Sequence, residues 1–331
     1  MKQYNFTPYT DKNVSYQEAK QYIDPQQRLA VIIMAVAAVP VILLIMAPAM
    51  FRSTGQFRAD WFIVVPIAIF LAVVGVIWWG MINDARRKVR MSRFATTNGL
   101  EFGYNIVDPN YHGIYFNFGS DRKIAECLRT PDGVELGRYY YETGRGRSRR
   151  SHNLGYARFR LTRNLPNIVL DSKKNNFLGI TNLPSTFSRD QKLQLEGNFN
   201  DYYSLYAPKE YERDVLYIFT PDVMQAFIDT QKSIDVEIVD NELYIYAEKM
   251  SDLSKPDNFQ QLMHIVDILG DKVEKSSDRY TDERVGNFSK NIVARPGQRL
   301  RTSVSIVTVI IIIYFVFNIV MNFLPIFNGD R

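Results

Sequence analysis

The stretch WFIVVPIAIFLAVVGVIWWGMI, Trp61–Ile82, runs for 22 residues without a charge, and Asn83-Asp-Ala-Arg-Arg-Lys-Val-Arg90 follows at once. At about 1.5 Å per residue such a helix covers a hydrocarbon core of about 30 Å. Two further runs behave alike: Leu29–Met50 and Ser303–Phe327 hold no Asp, Glu, Lys or Arg. The pattern predicts three α-helical spans plus a cytoplasmic α+β domain with a mostly antiparallel sheet. Residues 1–28 form an N-terminal segment, 29–82 a helical hairpin, 83–302 the domain, 303–327 the third span and 328–331 a tail. Mean hydropathy is only −0.18 because the polar domain is averaged with the spans.

Orientation follows from the basic flanks. Arg86, Arg87, Lys88, Arg90 and Arg93 come after the second run, and Arg295, Arg299 and Arg301 precede the third. The link 51–60 carries only Arg52 and Arg58. Positive charge is retained on the cytoplasmic side, so residues 1–28 and 84–302 are expected on the cytoplasmic side of a cell membrane and the C-terminus outside. Trp61 and Trp78-Trp79 fall at the two interfaces, where indoles are favoured. The polar, aromatic first 28 residues and the length of the apolar run after them argue for an anchor rather than a cleaved signal. The single cysteine, Cys127, excludes an internal disulfide and fits a reducing compartment.

The spans contain no ionisable residue, so they suggest no proton or ion path. Tyr314, Asn318 and Asn322 recur every fourth residue on one face of the third run. They are expected as helix–helix contacts, with a pore lining as the alternative.

In the domain, Ser15-Tyr-Gln-Glu18 has the form of a capping box. Asn98-Gly99 closes a helix that continues from the second span. Strands are predicted at Leu100–Val107, Gly113–Phe118, Arg122–Arg129, Val134–Glu142, Gly155–Arg163 and Asn167–Asp171, with Pro131-Asp-Gly133 as a tight turn. Gln194–Tyr206 and Val215–Phe219 read as extended. Thr220-Pro-Asp starts a helix to about Gln231, with the Thr220 hydroxyl as its cap. Ile234–Val239 and Leu243–Ala247 flank a turn at Asp240-Asn241 and predict a hairpin. Asp257–Lys275 is amphipathic, with Phe259, Leu262, Val266, Leu269 and Val273 on one stripe.

The run Leu195-Glu-Gly-Asn-Phe-Asn-Asp-Tyr-Tyr-Ser-Leu-Tyr206, then Leu216-Tyr-Ile-Phe-Thr-Pro-Asp-Val-Met224, then the paired strand segments resembles domain-of-unknown-function family 3137, a family of bacterial membrane proteins. The similarity runs from about Leu165 to Ala247. It implies two spans before a cytoplasmic domain, and the third apolar run departs from that pattern. The family has no established activity, so the resemblance implies no catalytic residue.

No catalytic constellation emerges. His112, His152 and His264 are scattered, and one cysteine makes no thiolate zinc site, so no metal or cofactor is expected. No Gly-x-Ser-x-Gly elbow or phosphate-binding Gly-rich loop occurs. Asp235, Glu237, Asp240 and Glu242 are expected as a solvated strand face.

The strongest signal is charge. Residues 84–163 hold 16 Lys and Arg against 8 Asp and Glu, whereas 164–302 hold 17 against 22. Arg145, Arg147, Arg149, Arg150, Arg158, Arg160 and Arg163 crowd into 143–163 with no acid among them. Either they are a solvated hairpin tip, or Arg145, Arg147, Arg149 and Arg150, with Arg86, Arg87 and Lys88, attract anionic lipid or an acidic partner. Nucleic acid is disfavoured because the aromatic RNA-binding signatures are missing. The expectation is a membrane protein presenting a binding or scaffold domain to membrane lipid, a protein partner or a second copy of itself. The alternatives are a membrane-bound enzyme acting on lipid or envelope precursors, or an accessory subunit of a transporter.

Overall fold

The computed structural model describes residues 3–51, 61–176, 180–230, 233–286, 290–303 and 312–320. It divides into two units, the first ending at Phe102 and the second beginning at Gly103.

The first unit holds α1 (Thr7–Thr10), α2 (Tyr16–Lys20), α3 (Pro25–Phe51) and α4 (Trp61–Asn98). The capping box forms as the sequence predicts. The Ser15 hydroxyl accepts from the Glu18 amide at 3.2 Å, and the Glu18 carboxylate accepts from the Ser15 amide at 3.0 Å. α4 ends where Gly99 turns left-handed at φ 66°, a conformation glycine adopts without a Cβ clash. The Leu100 amide then reaches back to the Ala95 carbonyl at 2.8 Å. The N-terminal segments fasten to the polar end of α4. Arg93 donates to Asp11 at 2.6 Å and to Glu18 at 2.8 Å, and the Tyr9 ring stacks on Phe94 at 4.3 Å. Val14, Ala19, Ile23, Ala85 and Val89 close a small core beneath them.

Among the described residues one helix, from Val65 to the end of α4, is long and apolar enough to cross a membrane. α3 is helical throughout its 27 residues. Of the third predicted span, 312–320 is helical, and the rest lies outside the described residues except for Ser303.

The second unit is an α+β structure. Its strands are β1 (Glu101–Val107, which begins in the last two residues of the first unit), β2 (Ser120–Arg129), β3 (Glu135–Thr143), β4 (Arg150–Ser172), β5 (Thr186–Phe187), β6 (Lys192–Leu193), β7 (Tyr203–Tyr206), β8 (Asp235–Ala247) and β9 (Thr302–Ser303). Its helices are α5 (Phe199–Tyr202), α6 (Glu212–Ile218), α7 (Pro221–Asp229), α8 (Pro256–Ser277) and α9 (Arg295–Gln298). The large sheet runs β1-β2-β3-β4-β7-β6, with β8 on the other side of β4, and its registered pairs are antiparallel. β5 and β9 form a separate pair.

β4 is the spine. Its first half lies between β3 and β8, and its second half between β8 and β7. The two strands predicted at 155–163 and 167–171 are thus one 23-residue strand. The hairpin predicted at 234–247 is likewise one strand. Asp240 does take a left-handed φ of 56°. Opposite it, however, β4 shifts register between Arg160 and Leu165. The extra residues on β4 absorb the irregularity as a bulge, so β8 continues.

Four further expectations are corrected. Val215–Phe219 is not extended: Val215–Ile218 lies in α6. Glu212 and Asp214 sit in its first turn, and Val215 and Ile218 are buried one turn apart, which suits the positive helix end and an inward stripe. Gly113–Phe118 forms turns rather than a strand. Within Gln194–Tyr206 the extended part is β7, which α5 precedes. The Thr220 hydroxyl donates to Asp222 instead of capping α7.

The two sheet faces are covered differently, because alternate residues of a strand point to opposite sides. α8 covers the face that carries Phe159, burying Phe259, Leu262, Ile265, Val266, Leu269 and Val273. Gly270 lets it approach, since a Cβ there would stand 3.2 Å from the Phe159 ring. The segment 108–119 covers the other face. Phe116 lies 4.6 Å from Tyr139, 5.1 Å from Tyr156 and 5.6 Å from Tyr244, and Tyr115 lies 4.7 Å from Tyr246.

Candidate anion-binding site

The basic connection between β3 and β4 is a hydrogen-bonded turn. Gly144 takes φ 80°, and a Cβ there would lie 2.4 Å from the Ser148 carbonyl oxygen. Only glycine fits that approach. The Ser148 amide and hydroxyl both donate to the Arg145 carbonyl, at 3.1 and 2.8 Å. At the base of the turn the Thr143 hydroxyl meets His152 Nε2 at 2.8 Å, and the His152 ring stacks on Tyr141 at 4.8 Å.

The seven arginines of 143–163 separate into two groups. Arg149 pairs with Asp121 and Glu142. Arg158 pairs with Glu242 at 2.7 Å and lies over the Tyr111 ring at 3.9 Å. Arg160 reaches Glu242 at 3.7 Å, and Arg163 donates to the Asp278 carbonyl at 2.9 Å. Arg145, Arg147 and Arg150 are exposed at the tip, and among the described residues none has a carboxylate within ion-pair distance.

A second basic surface arises where the chain leaves the domain. The buried side chain of Gln191 grips this segment. Its amide nitrogen donates to the Arg301 carbonyl at 2.7 Å, and its oxygen accepts from the Arg301 amide at 2.8 Å. Asn167 accepts from the Leu300 amide at 3.0 Å, and β9 adds to β5. Beside this strap opens a cleft of about 540 Å³ lined in part by Lys209, Glu210, Arg295, Arg299 and Arg301. Arg299 is held by Asp240, and Arg301 by Asp190 at 3.0 Å. Lys209 and Arg295 have no ion-pair partner among the described residues. The sequence offered Arg295, Arg299 and Arg301 only as flanks of a span, and Lys209 carried no signal.

The predicted solvated face of Asp235, Glu237, Asp240 and Glu242 is corrected. Asp235 and Glu237 are buried, and Asp240 and Glu242 half-buried. Donors from elsewhere in the chain make this possible. Asp235 accepts from the Ser172 amide at 2.8 Å and from Asn175 at 2.9 Å. Glu237 accepts from the Ile114 amide at 2.8 Å and the Tyr246 hydroxyl at 2.7 Å. Burial raises both carboxyls, each to about 7. On the same sheet face Glu135 is buried and accepts from Tyr111, Tyr156 and Arg129. Burial and the neighbouring Glu135 charge push the Tyr111 hydroxyl up to about 12. Glu135 and Glu237 tie the 108–119 segment to the sheet.

Among the described residues no group of three or more His, Cys, Asp and Glu side chains could hold a metal ion. His112 meets Asp240 at 2.8 Å, and His264 is exposed on α8. Cys127 is buried, which raises its thiol to about 12. In the first unit Arg87 and Lys88 pair with Asp84 at 2.8 and 3.0 Å, while Arg86 is exposed. Tyr314 and Asn318 sit one turn apart on the helical stretch 312–320, where the Asn318 side-chain Nδ2 donates to the Tyr314 carbonyl at 3.0 Å. Asn322 lies outside the described residues.

No family model matches this chain, and no curated protein does. A solved structure, the crystal structure of the mycobacterial trehalose monomycolate transport factor A, TtfA, aligns over 56% of this chain and 94% of that chain. Sequence identity is 9% and the TM-score 0.39, a likeness that carries neither fold nor function across. The class is set by this chain alone: an α+β unit on a mostly antiparallel sheet, with one helix of membrane-spanning length and composition among the described residues.

Proposed function

We propose that this protein is a three-span membrane protein whose α+β domain meets the cytoplasmic membrane surface through the β3–β4 turn. The observation that carries this is the exposed trio Arg145, Arg147 and Arg150, which have no ion-pair partner among the described residues, whereas four nearby arginines are engaged. Each such charge near an anionic leaflet gains on the order of 1 kcal/mol. The turn carries them on hydrogen-bonded backbone, which lowers the entropy lost on docking.

The membrane half of the reading rests on three apolar runs and their basic flanks. The apolar window of α4 is supporting, because only 6% of it is buried; a core helix of a water-soluble fold would be covered. Leu29–Met50 and Ser303–Phe327 are the other two spans, with the N-terminus and residues 84–302 in the cytoplasm and the C-terminus outside. Arg86, Arg87 and Lys88 reinforce that orientation, and the Tyr314–Asn318–Asn322 face packs against another span or a second copy. The kinship with domain-of-unknown-function family 3137 belongs to the same reading.

Hydrogen exchange of the full chain in nanodiscs tests it. Amides 143–150 should exchange more slowly in discs containing phosphatidylglycerol than in pure phosphatidylcholine, and high salt should erase the difference. Equal exchange in both lipids would refute the lipid role of the turn.

A further inference from the structure

We propose that the cleft beside the 299–303 strap binds a phosphate oxyanion carried on a membrane lipid headgroup. The proposal rests on the third apolar run being a span, but not on the β3–β4 turn. Two walls meet at the cleft, and one buried carboxylate holds both. Asp282 accepts from the Tyr211 hydroxyl at 2.7 Å and from the Ala294 amide at 2.8 Å. Lys209 stands two residues before Tyr211, and Arg295 one residue after Ala294. The Arg284 guanidinium lies over the Tyr211 ring at 3.9 Å, and Gly297 lets the second wall close, since a Cβ there would lie 2.4 Å from that ring.

The charges of the cleft mostly cancel. Arg301 is neutralised by Asp190 and Arg299 by Asp240, leaving Lys209 and Arg295 against Glu210. The excess of one positive charge suits a phosphate monoanion. A planar guanidinium and a mobile ammonium are the donors that phosphate oxygens take.

Chain connectivity selects the lipid. Arg301 is two residues from Ser303, where the third apolar run begins. At about 3.3 Å per extended residue, the cleft's edge lies within about 10 Å of the hydrocarbon boundary, at headgroup depth. The Gln191 clamp fixes the start of that step by holding both the N–H and the C=O of Arg301.

The test is native mass spectrometry of the full chain in detergent with added phosphatidylglycerol, repeated with soluble glycerol phosphate. The chain should retain the lipid, and the double variant Lys209→Ala/Arg295→Ala should weaken retention by about tenfold or more. Lys209→Arg should keep most of it, which guards against a folding effect. A parallel Arg145→Ala/Arg147→Ala/Arg150→Ala variant should retain lipid normally. If only that variant loses lipid, the cleft is overturned and the turn reading stands; if only the cleft variant does, the cleft stands, and the turn, which attracts a bilayer surface rather than one retained lipid, is judged by the nanodisc exchange. Binding of glycerol phosphate as tight as that of the lipid would overturn the headgroup as the source. Equal retention by wild type and cleft variant would overturn the site.

Discussion

Arg299 donates through both terminal nitrogens to the two oxygens of Asp240, each at 2.9 Å. Asp240 Oδ2 also meets His112 at 2.8 Å. One carboxylate therefore ties the departing chain, the bulged middle of the β4–β8 pair and the segment 108–119. The Arg299 hydrogen bonds hold its carboxyl below the usual range.

Asp240→Asn should lower stability by about 1 kcal/mol, since the pair is bidentate but partly exposed. Arg299→Ala should cost a similar amount, and the double variant should cost less than the sum. Thermal unfolding of the three variants checks this; additive losses would mean the two residues do not act as a pair.

Acidity should stabilise the fold near neutrality. Burial raises Glu237 from 4.5 to about 7, and Asp235 from 3.8 to about 7. Between those limits the folded chain keeps protons that the unfolded chain has released. Stability is therefore greatest at the acid end of the interval and falls as pH rises toward about 7. Melting temperature should drop between about pH 5 and 7, and the drop should be shallower in Glu237→Gln. An unchanged slope in that variant would contradict the assignment.

Gly144→Ala should destabilise the β3–β4 turn by roughly 1–3 kcal/mol, because a left-handed residue would also press on the Ser148 carbonyl. Faster amide exchange at 145–149 would report it. Exchange equal to wild type would show that the turn tolerates a Cβ.

Gly113→Ala should lift the 108–119 segment, since its Cβ would lie 2.2 Å from the Tyr246 hydroxyl oxygen. Tyr246→Phe removes that oxygen but also a donor to Glu237. In the double variant the steric part of the cost should vanish, so the two changes should be less than additive in a thermal-denaturation cycle. Strict additivity would show that the contact is not where the strain sits.

What the sequence makes legible is what neighbours along the chain decide. The Ser15–Glu18 box, the Gly99 stop, the Pro131-Asp-Gly133 turn and the stripe of α8 all depend on residues within a turn or two. The continuity of β8 does not, because the offset at Asp240 is taken up by β4, some 75 residues earlier. Nor does the burial of Glu237, whose donors Ile114 and Tyr246 lie on a distant segment and farther along the same strand. Arg149 reads as free until Asp121 folds beside it. Lys209 reads as one more surface lysine until Asp282 brings its turn opposite Arg295.

Topology is the claim on which both lipid surfaces depend, and cysteine labelling in intact cells tests it most directly. Native Cys127 is fully buried and stays silent. Single cysteines introduced as Gly55→Cys, Gly146→Cys and Gly329→Cys report the link, the β3–β4 turn and the tail. With a membrane-impermeant maleimide, the first and last should label in intact cells, and the turn only after permeabilisation. Labelling of the turn in intact cells, or protection of the tail until permeabilisation, would contradict the three-span account.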